Sequence, residues 1–200
     1  MPLFGSMTEV VGPAIPGLLT VRDFLPPEAA AGLCRHIDEQ PWRDDLKRRV
    51  QHYGYRYDYT ARTVRRDARL GPLPDWLLPL ATALAAPAFL GALADQVIVN
   101  EYLPGQGIAS HVDCLPCFGP RIAILSLGSP AVMIFSQPRT DARHAVMLEE
   151  RSLTILSGAA RTDWQHGIPA RKSDVVGGVK LVRSRRVSVT FRTVRPATGS

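Results

Sequence analysis

Cysteine is scarce in this chain: Cys34, Cys114 and Cys117 are the only three among 200 residues. So few, and an odd number, exclude the disulfide framework of a small secreted domain and read as a reduced, cytoplasmic protein. Cys114 and Cys117 form one C-x-x-C, but a zinc site needs about four ligands and no second such pair exists. Two free thiols are expected. The N-terminal stretch lacks a basic start followed by an apolar block, so no secretory leader is read there. Repeats and low-complexity blocks are missing too. From Trp76 to Ala94 there is no charged residue, a length that raises the question of a membrane span. Pro79 and Pro87 interrupt that run and Asp75 and Asp95 flank it. Buried helices broken by proline fit it better, and no membrane association is expected.

What is present suits one packed domain. Hydrophobic residues make up 46% and charged residues 21%, enough apolar surface for a core. The expected division is a loosely ordered N-terminus over 1–16, one domain over 17–195 and a tail over 196–200. Net charge is +6 and the pI about 9.6, which suits a polyanionic partner without requiring one. Pro26-Pro27-Glu28 predicts a helix running to about Gln40, since proline fits a first turn and a carboxylate its positive end. A second helical region follows Pro74-Asp75. After Gln96 the texture turns to strands: Val97–Leu103, Arg121–Leu127, Val132–Ser136, Ala145–Leu148, Ser152–Leu156 and Arg186–Arg192 are short, β-branched and punctuated by Gly and Pro. Helices first and strands later predict an α+β fold with a sandwich or barrel of antiparallel strands.

Three segments carry chemistry. In His111-Val112-Asp113, residues i and i+2 of a strand point the same way, so imidazole and carboxylate converge on one ion. His166, in Trp164-Gln165-His166-Gly167, offers a third ligand. Two histidines and a carboxylate make the facial triad of non-haem iron oxygenases, which leaves metal positions open; H-x-D also arises by chance. In Arg186–Arg192, Val187, Val189 and Phe191 alternate with Arg186, Ser188, Thr190 and Arg192. The polar face lines either solvent, as a guarded edge strand, or a cavity where an arginine pairs with a carboxylate. Asn100 and Tyr102 share a strand face just before Pro104-Gly105, able to hydrogen-bond an oxyacid or simply to lead into a turn.

In order and type these segments resemble the AlkB family of iron(II)/2-oxoglutarate dioxygenases. That family's pattern falls on Asn100/Tyr102/Gly105, His111/Asp113, His166 and Arg186/Arg192. Leu125-Ser126-Leu127-Gly128, Ser157-Gly158 and Arg161 match the text between. The resemblance covers roughly 17–195. It implies a double-stranded β-helix (jelly-roll) core with N-terminal helices and a substrate lid. It implies Fe(II), 2-oxoglutarate and O2 as metal, cosubstrate and oxidant. His111, Asp113 and His166 would hold the metal. Arg186, helped by Tyr102, would grip the distal carboxylate of 2-oxoglutarate, with Asn100 at its keto-acid end and Ser188 on the same face. Arg192 would stabilise the metal end; six residues of strand span ~20 Å, too far for both arginines to hold one carboxylate. 2-Oxoglutarate would become succinate and CO2 while a substrate C–H is hydroxylated. An N-methyl group so oxidised leaves as formaldehyde.

Residues 48–59 read Arg-Arg-Val-Gln-His-Tyr-Gly-Tyr-Arg-Tyr-Asp-Tyr, with a tyrosine at every second position from 53. Tyr53, Tyr55, Tyr57 and Tyr59 would share one strand face, suited to stacking on bases beside phosphates or to packing on the barrel. The resemblance places a nucleotide-recognition lid here, and Arg161 and Trp164 are further candidates for the pocket. Arg62, Arg65, Arg66 and Arg69, and the basic stretch Arg171–Arg186, are candidate phosphate contacts, although a charge run also serves as a solvated face. The family's repair members carry an acidic residue two positions after the metal Asp, where this chain has Leu115. The Tyr-Gly-Tyr segment and Gly105–Ile108 look more like the branch that hydroxylates modified wobble uridine in tRNA. Three readings stand: demethylation or dealkylation of damaged bases in DNA or RNA, single strands preferred; hydroxylation of a modified tRNA base or a small molecule; and a non-catalytic nucleic-acid-binding module. None implies a stable protein partner.

Overall fold

A computed structural model of the chain describes residues 15–44 and 46–195. The expected 196–200 tail and residues 1–14 lie outside the described residues. At the end of the segment expected to be loosely ordered, Ile15 is 3% exposed, and Pro16, itself exposed, accepts from Ala160 N at 2.9 Å.

Twelve strands and three α-helices follow in order: β1 (Leu18–Val21), α1 (Pro27–Asp38), β2 (Val50–Tyr53), α2 (Leu78–Leu84), β3 (Gln96–Tyr102), β4 (Ile108–His111), β5 (Ile122–Gly128), β6 (Ala131–Gln137), β7 (Ala142–Leu148), β8 (Leu153–Leu156), α3 (Gly158–Thr162), β9 (Gln165–Ile168), β10 (Ser173–Val176), β11 (Val179–Val182) and β12 (Arg186–Arg192). The large sheet runs β1-β8-β5-β12-β3-β2, the small one β4-β9-β6-β7, and β10-β11 form a hairpin. All these pairs are antiparallel. The result is the expected jelly-roll sandwich.

Helix α1 starts on Pro27, and Ala30, Leu33 and Ile37 fall on its buried stripe. Helix α2 accepts Pro79 in its first turn, where no backbone donor is lost, and buries Leu80, Ala81 and Leu84. The uncharged run thus ends inside the core; among the described residues no helix is long and apolar enough to cross a membrane. Both helices cover one face of the large sheet, meeting Val97, Val99, Leu125, Val187, Val189 and Phe191. The other face looks toward the small sheet, where Ile122, Ile124, Met133, Phe135, Leu148 and Ile168 fill a second core.

Two ionic knots tie the sheets' ends. Glu101, 2% exposed, accepts from Arg49 Nε at 2.6 Å and Arg185 Nε at 2.7 Å. Asp174, also 2% exposed, accepts from Arg171 and Arg183. Those pairings engage Arg171, Arg183 and Arg185, three of the six basic residues in the stretch Arg171–Arg186 that the sequence offers to phosphate. Arg65 likewise pairs with Asp67; the side chain of Arg66 lies outside the described residues.

Two expectations need correction. Cys114 and Cys117 are not free thiols but a disulfide, because a tight turn brings their Cα atoms to 5.3 Å, within bridging range. Cys34 is the free one. The tyrosines of 53–59 do not share a strand face. Strand β2 stops at Tyr53 because Gly54 takes φ +75°, and beyond it only single bridges join Tyr55 to Arg69 and Asp58 to Thr63. A side chain at Gly54 would strike Asp95 O, 1.8 Å from the Cβ position. Gly54→Ala should therefore cost about 2 kcal/mol or more of unfolding free energy from strain and overpacking. Urea denaturation of the two proteins measures it, and an unchanged midpoint would contradict this account of the turn.

Candidate active site

Strands β3 and β12 are buried at every position, so their two faces serve two interiors. Their apolar odd positions enter the helix-covered core. Gln96, Ile98, Asn100 and Tyr102 pair across with Arg192, Thr190, Ser188 and Arg186 and face the space between the sheets. There a cavity of about 430 Å³ is lined by Ile98, Asn100, Tyr102, Ser188, Thr190 and Arg192 from these strands, by Ile124 on the neighbouring β5 and by Met133 from the small sheet. The polar face of the last strand thus lines an interior, not solvent.

His111, Asp113 and His166 meet at one end of the cavity, each offering one ligand atom, all within 4.8 Å of one another. His111 and His166 are cross-strand partners on β4 and β9, and a register shift between Ile108 and His111 re-aims the first. Gly167 permits the approach, since a Cβ there would lie 2.9 Å from Ile108 O and Ser110 N. His111 Nδ1 lies 2.8 Å from Ala109 O; the carbonyl only accepts, so Nδ1 carries the proton and Nε2 keeps its lone pair. His166 Nε2 faces Asp113 Oδ2 at 3.5 Å. Asp113 Oδ1 is taken by Arg192 at 2.5 Å, which leaves Oδ2 for a metal.

Electrostatics prepare the same donors. Burial lowers His166 to about 4, against the pull of Asp113, so its imidazole is neutral near pH 7. Burial pushes the Asp113 carboxyl up, but Arg192, the two histidines and Arg161 outweigh it and hold it well below the usual carboxylate range. Two imidazoles and one carboxylate are the donor set that fits Fe(II).

Arg186 lies 2% exposed, donating to Ser126 Oγ at 2.9 Å, with its Nε buried and without a partner. Burial lowers its pKa to about 10, so it stays cationic near pH 7. Among the described residues no carboxylate pairs with it. A buried cation without an anion is costly, and a ligand carboxylate is the group that would complete it. The cavity lining reaches its cross-strand partner Tyr102 but does not include Arg186 itself.

The candidate substrate residues separate. Tyr57 reaches the cavity wall, as do Tyr59, Arg48, Arg62 and Phe118. Tyr53 points the other way, packing edge-on against Trp76 at 5.3 Å, and Tyr55 joins a small cluster with Val64, Cys117 and Phe118. Arg161, 3% exposed, donates to Asp113 O at 2.8 Å and Cys114 O at 3.1 Å. It holds the metal loop from behind. Trp164 fills the inter-sheet core beside His144. Sequence reasoning missed Arg48, whose Nε donates to Asn100 Oδ1 at 2.9 Å and whose guanidinium lies over the Tyr59 and Tyr102 rings at 5.9 and 5.8 Å. It enters from a loop and carries no periodic signal. Ile98 and Thr190 were readable from the alternation that found Asn100 and Ser188.

Residues 17–192 match the profile of the 2OG-Fe(II) oxygenase superfamily. The chain is 39% identical over 209 residues to the tRNA (carboxymethyluridine(34)-5-O)-methyltransferase alkbh8 of Xenopus tropicalis, covering 94% of this chain and 33% of that protein. It is 38% identical to the alkylated DNA repair protein ALKBH8 homolog of Arabidopsis thaliana, covering 90% of this chain and 59% of the other. The chain thus spans between a third and three-fifths of these relatives. It is 34% identical to the uncharacterized protein L905 of Acanthamoeba polyphaga mimivirus, over 89% and 85% of the two chains. Among solved structures, OsALKBH1 superposes with a TM-score of 0.66 at 21% identity, over 94% of this chain and all of that one, showing the same fold.

Replacing His111, Asp113 or His166 by Ala should reduce binding from about one Fe(II) per chain to none and bring succinate formation to background. Metal titration and succinate assay read both. Full turnover in any of the three variants would remove that residue from the site.

Proposed function

We propose a nucleic-acid base as the substrate of this chain, from the premise that it belongs to the 2OG-Fe(II) oxygenase superfamily, within the AlkB family, and is an Fe(II)- and 2-oxoglutarate-dependent dioxygenase. Bound iron, with O2, supplies hydroxylation of an unactivated C–H bond coupled to conversion of 2-oxoglutarate to succinate and CO2. His111, Asp113 and His166 hold that metal. Arg192 fixes the orientation of Asp113 and keeps it ionised. Arg186, with Tyr102 and Ser188 beside it, receives the distal carboxylate of 2-oxoglutarate, and Asn100 lies toward its keto-acid end.

One observation carries the substrate reading. The far wall of the cavity pairs aromatic faces, Tyr57 and Tyr59, with the guanidiniums of Arg48 and Arg62. Rings interleaved with cations suit a flat base stacked beside its phosphates. A base reaches such a depth only outside its stack, which is cheapest in single strands and loops. The names of relatives, among them the zebrafish (Danio rerio) probable RNA/DNA demethylase ALKBH6 at 28% identity, point the same way.

The charge of the cavity refines the choice of base. Asp113 is the only acidic residue in its lining, and Arg192 already neutralises it. Leu115, where repair enzymes are acidic, is 45% exposed. A cationic N-methyl base would meet Arg48 and Arg62 with no anion to offset them. A neutral or anionic modified base, such as a modified wobble uridine, fits better than 1-methyladenine or 3-methylcytosine. This favours hydroxylation of a modified tRNA base over repair of cationic lesions.

Two outcomes test these assignments. Arg186→Ala should raise the KM for 2-oxoglutarate on the order of 10–100-fold, the loss of a charge-assisted pair, with iron affinity changed far less; an unaltered KM would show that β12 does not hold the cosubstrate. Mass spectrometry of nucleosides should find wobble-modified uridine or ethenoadenine oxidised ahead of 1-methyladenine and 3-methylcytosine, single strands ahead of duplex. Tyr57→Ala or Tyr59→Ala should slow that reaction roughly 10-fold while sparing uncoupled succinate formation. No oxidation of any such base, beside brisk turnover of a small metabolite or peptide, would defeat the nucleic-acid reading.

A further inference from the structure

We propose that Cys114 and Cys117 are a thiol–disulfide exchange centre whose state sets the order of the 55–64 cavity wall, and so the affinity for substrate, with a dithiol as the reactant. The effect on substrate rests on the proposed role of that wall.

The disulfide occupies a pivotal turn. Cys114 directly follows Asp113. Phe118 directly follows Cys117, lines the cavity, lies under the Arg192 guanidinium at 4.7 Å and meets the Tyr57 ring at 5.8 Å. The wall rests on this turn through one small cluster, in which Val64, Tyr55 and Tyr57 pack on Cys114, Cys117 and Phe118. Cys117 Sγ lies 3.7 Å from Arg62 O. A segment held by so few apolar contacts sits at the low end of local stability. Backbone bonds such as Arg56 N to Ala68 O and Asp58 N to Thr63 O shape the segment itself, and Arg195 N to Cys117 O and Gly119 N to Thr193 O hold the turn beneath it; the bond between the two sulfurs adds the covalent tie within that turn.

The metal end is held by other means. Arg161 grips the carbonyls of Asp113 and Cys114, and Arg192 grips the Asp113 carboxylate. Loosening of the turn is consequently passed to the wall and not to the metal ligands. Access favours attack at Cys114, which is half-buried beside the exposed Leu115, over Cys117, which is 5% exposed. A thiolate of the reductant bonds to Cys114 Sγ; the Cys114–Cys117 bond breaks, and its electron pair leaves on Cys117, which takes up a proton. The second thiolate of the reductant then displaces Cys114. Two protein thiols and one oxidised dithiol result. Separated sulfurs no longer clamp the turn beneath Tyr55 and Tyr57.

The experiment compares iron-loaded protein before and after dithiothreitol treatment and desalting, with ascorbate as iron reductant in both arms. Titrated thiols should rise from one, Cys34, to three as Cys114 and Cys117 open. Amide hydrogen exchange in 55–64 should become roughly tenfold faster. Succinate formation without substrate should not change, while the KM for the oxidised base should rise by about the same factor. Cys114→Ser, and separately Cys114→Ala with Cys117→Ala, should exchange like the reduced protein and ignore dithiothreitol. A thiol count that stays at one, exchange at 55–64 that does not respond, or variants that still respond would each overturn the proposal. If no nucleic-acid base is oxidised, the exchange readout still decides it, separately from the functional reading.

Discussion

Burying a cation inside a sandwich of strands requires an anion to meet it, and β12 buries two. Arg192 and Arg186 stand at opposite ends of one strand face, both turned into the space between the sheets. The first is met by Asp113, which arrives on the loop after β4, and that pairing decides which carboxylate oxygen remains for a metal. The second donates to Ser126 Oγ and the Ser129 carbonyl, and among the described residues no carboxylate pairs with it. The interior is therefore complete at one end and incomplete at the other.

The rest of the architecture serves that arrangement. Helices α1 and α2 relieve the large sheet of its apolar face, which frees the opposite face to be polar. The small sheet brings the two histidines together as a cross-strand pair, with Phe135 packed behind His166. Arg161 and Arg192 clamp Asp113 from its backbone and its side chain. The cavity wall after Gly54 is joined by single bridges, whereas the His111, Asp113 and His166 cluster stands on paired strands and two arginine clamps. That division lets a wall move without disturbing ligand geometry.

Much of this is legible in the amino-acid order where a period of two persists over seven residues. Arg186–Arg192 and the strand through Asn100 and Tyr102 declare their faces, and His111, Asp113 and His166 follow from type and spacing. The four-residue strands β1, β9, β10 and β11 show too little alternation to be read as strands. At Gly54 a single positive φ flips the parity of the tyrosines, so that Tyr53 faces Trp76 and Tyr57 the cavity. Arg161 and Trp164 look like pocket residues because they precede His166. Their burial is settled by what packs around α3, which sequence spacing does not encode. The disulfide depends on the closeness of two Cα atoms in a turn, and C-x-x-C alone leaves that open.

Strand β3 works as a partition one residue thick. Glu101, between Asn100 and Tyr102, turns away from the cavity to join Arg49 and Arg185, while its two neighbours face the ligand space. Adjacent codons thus answer to different selective pressures, one for holding the sheet's end to its flanking loops and the next for what the enzyme recognises. Substitutions scanned along this strand would sort by parity into loss of folded protein and loss of turnover.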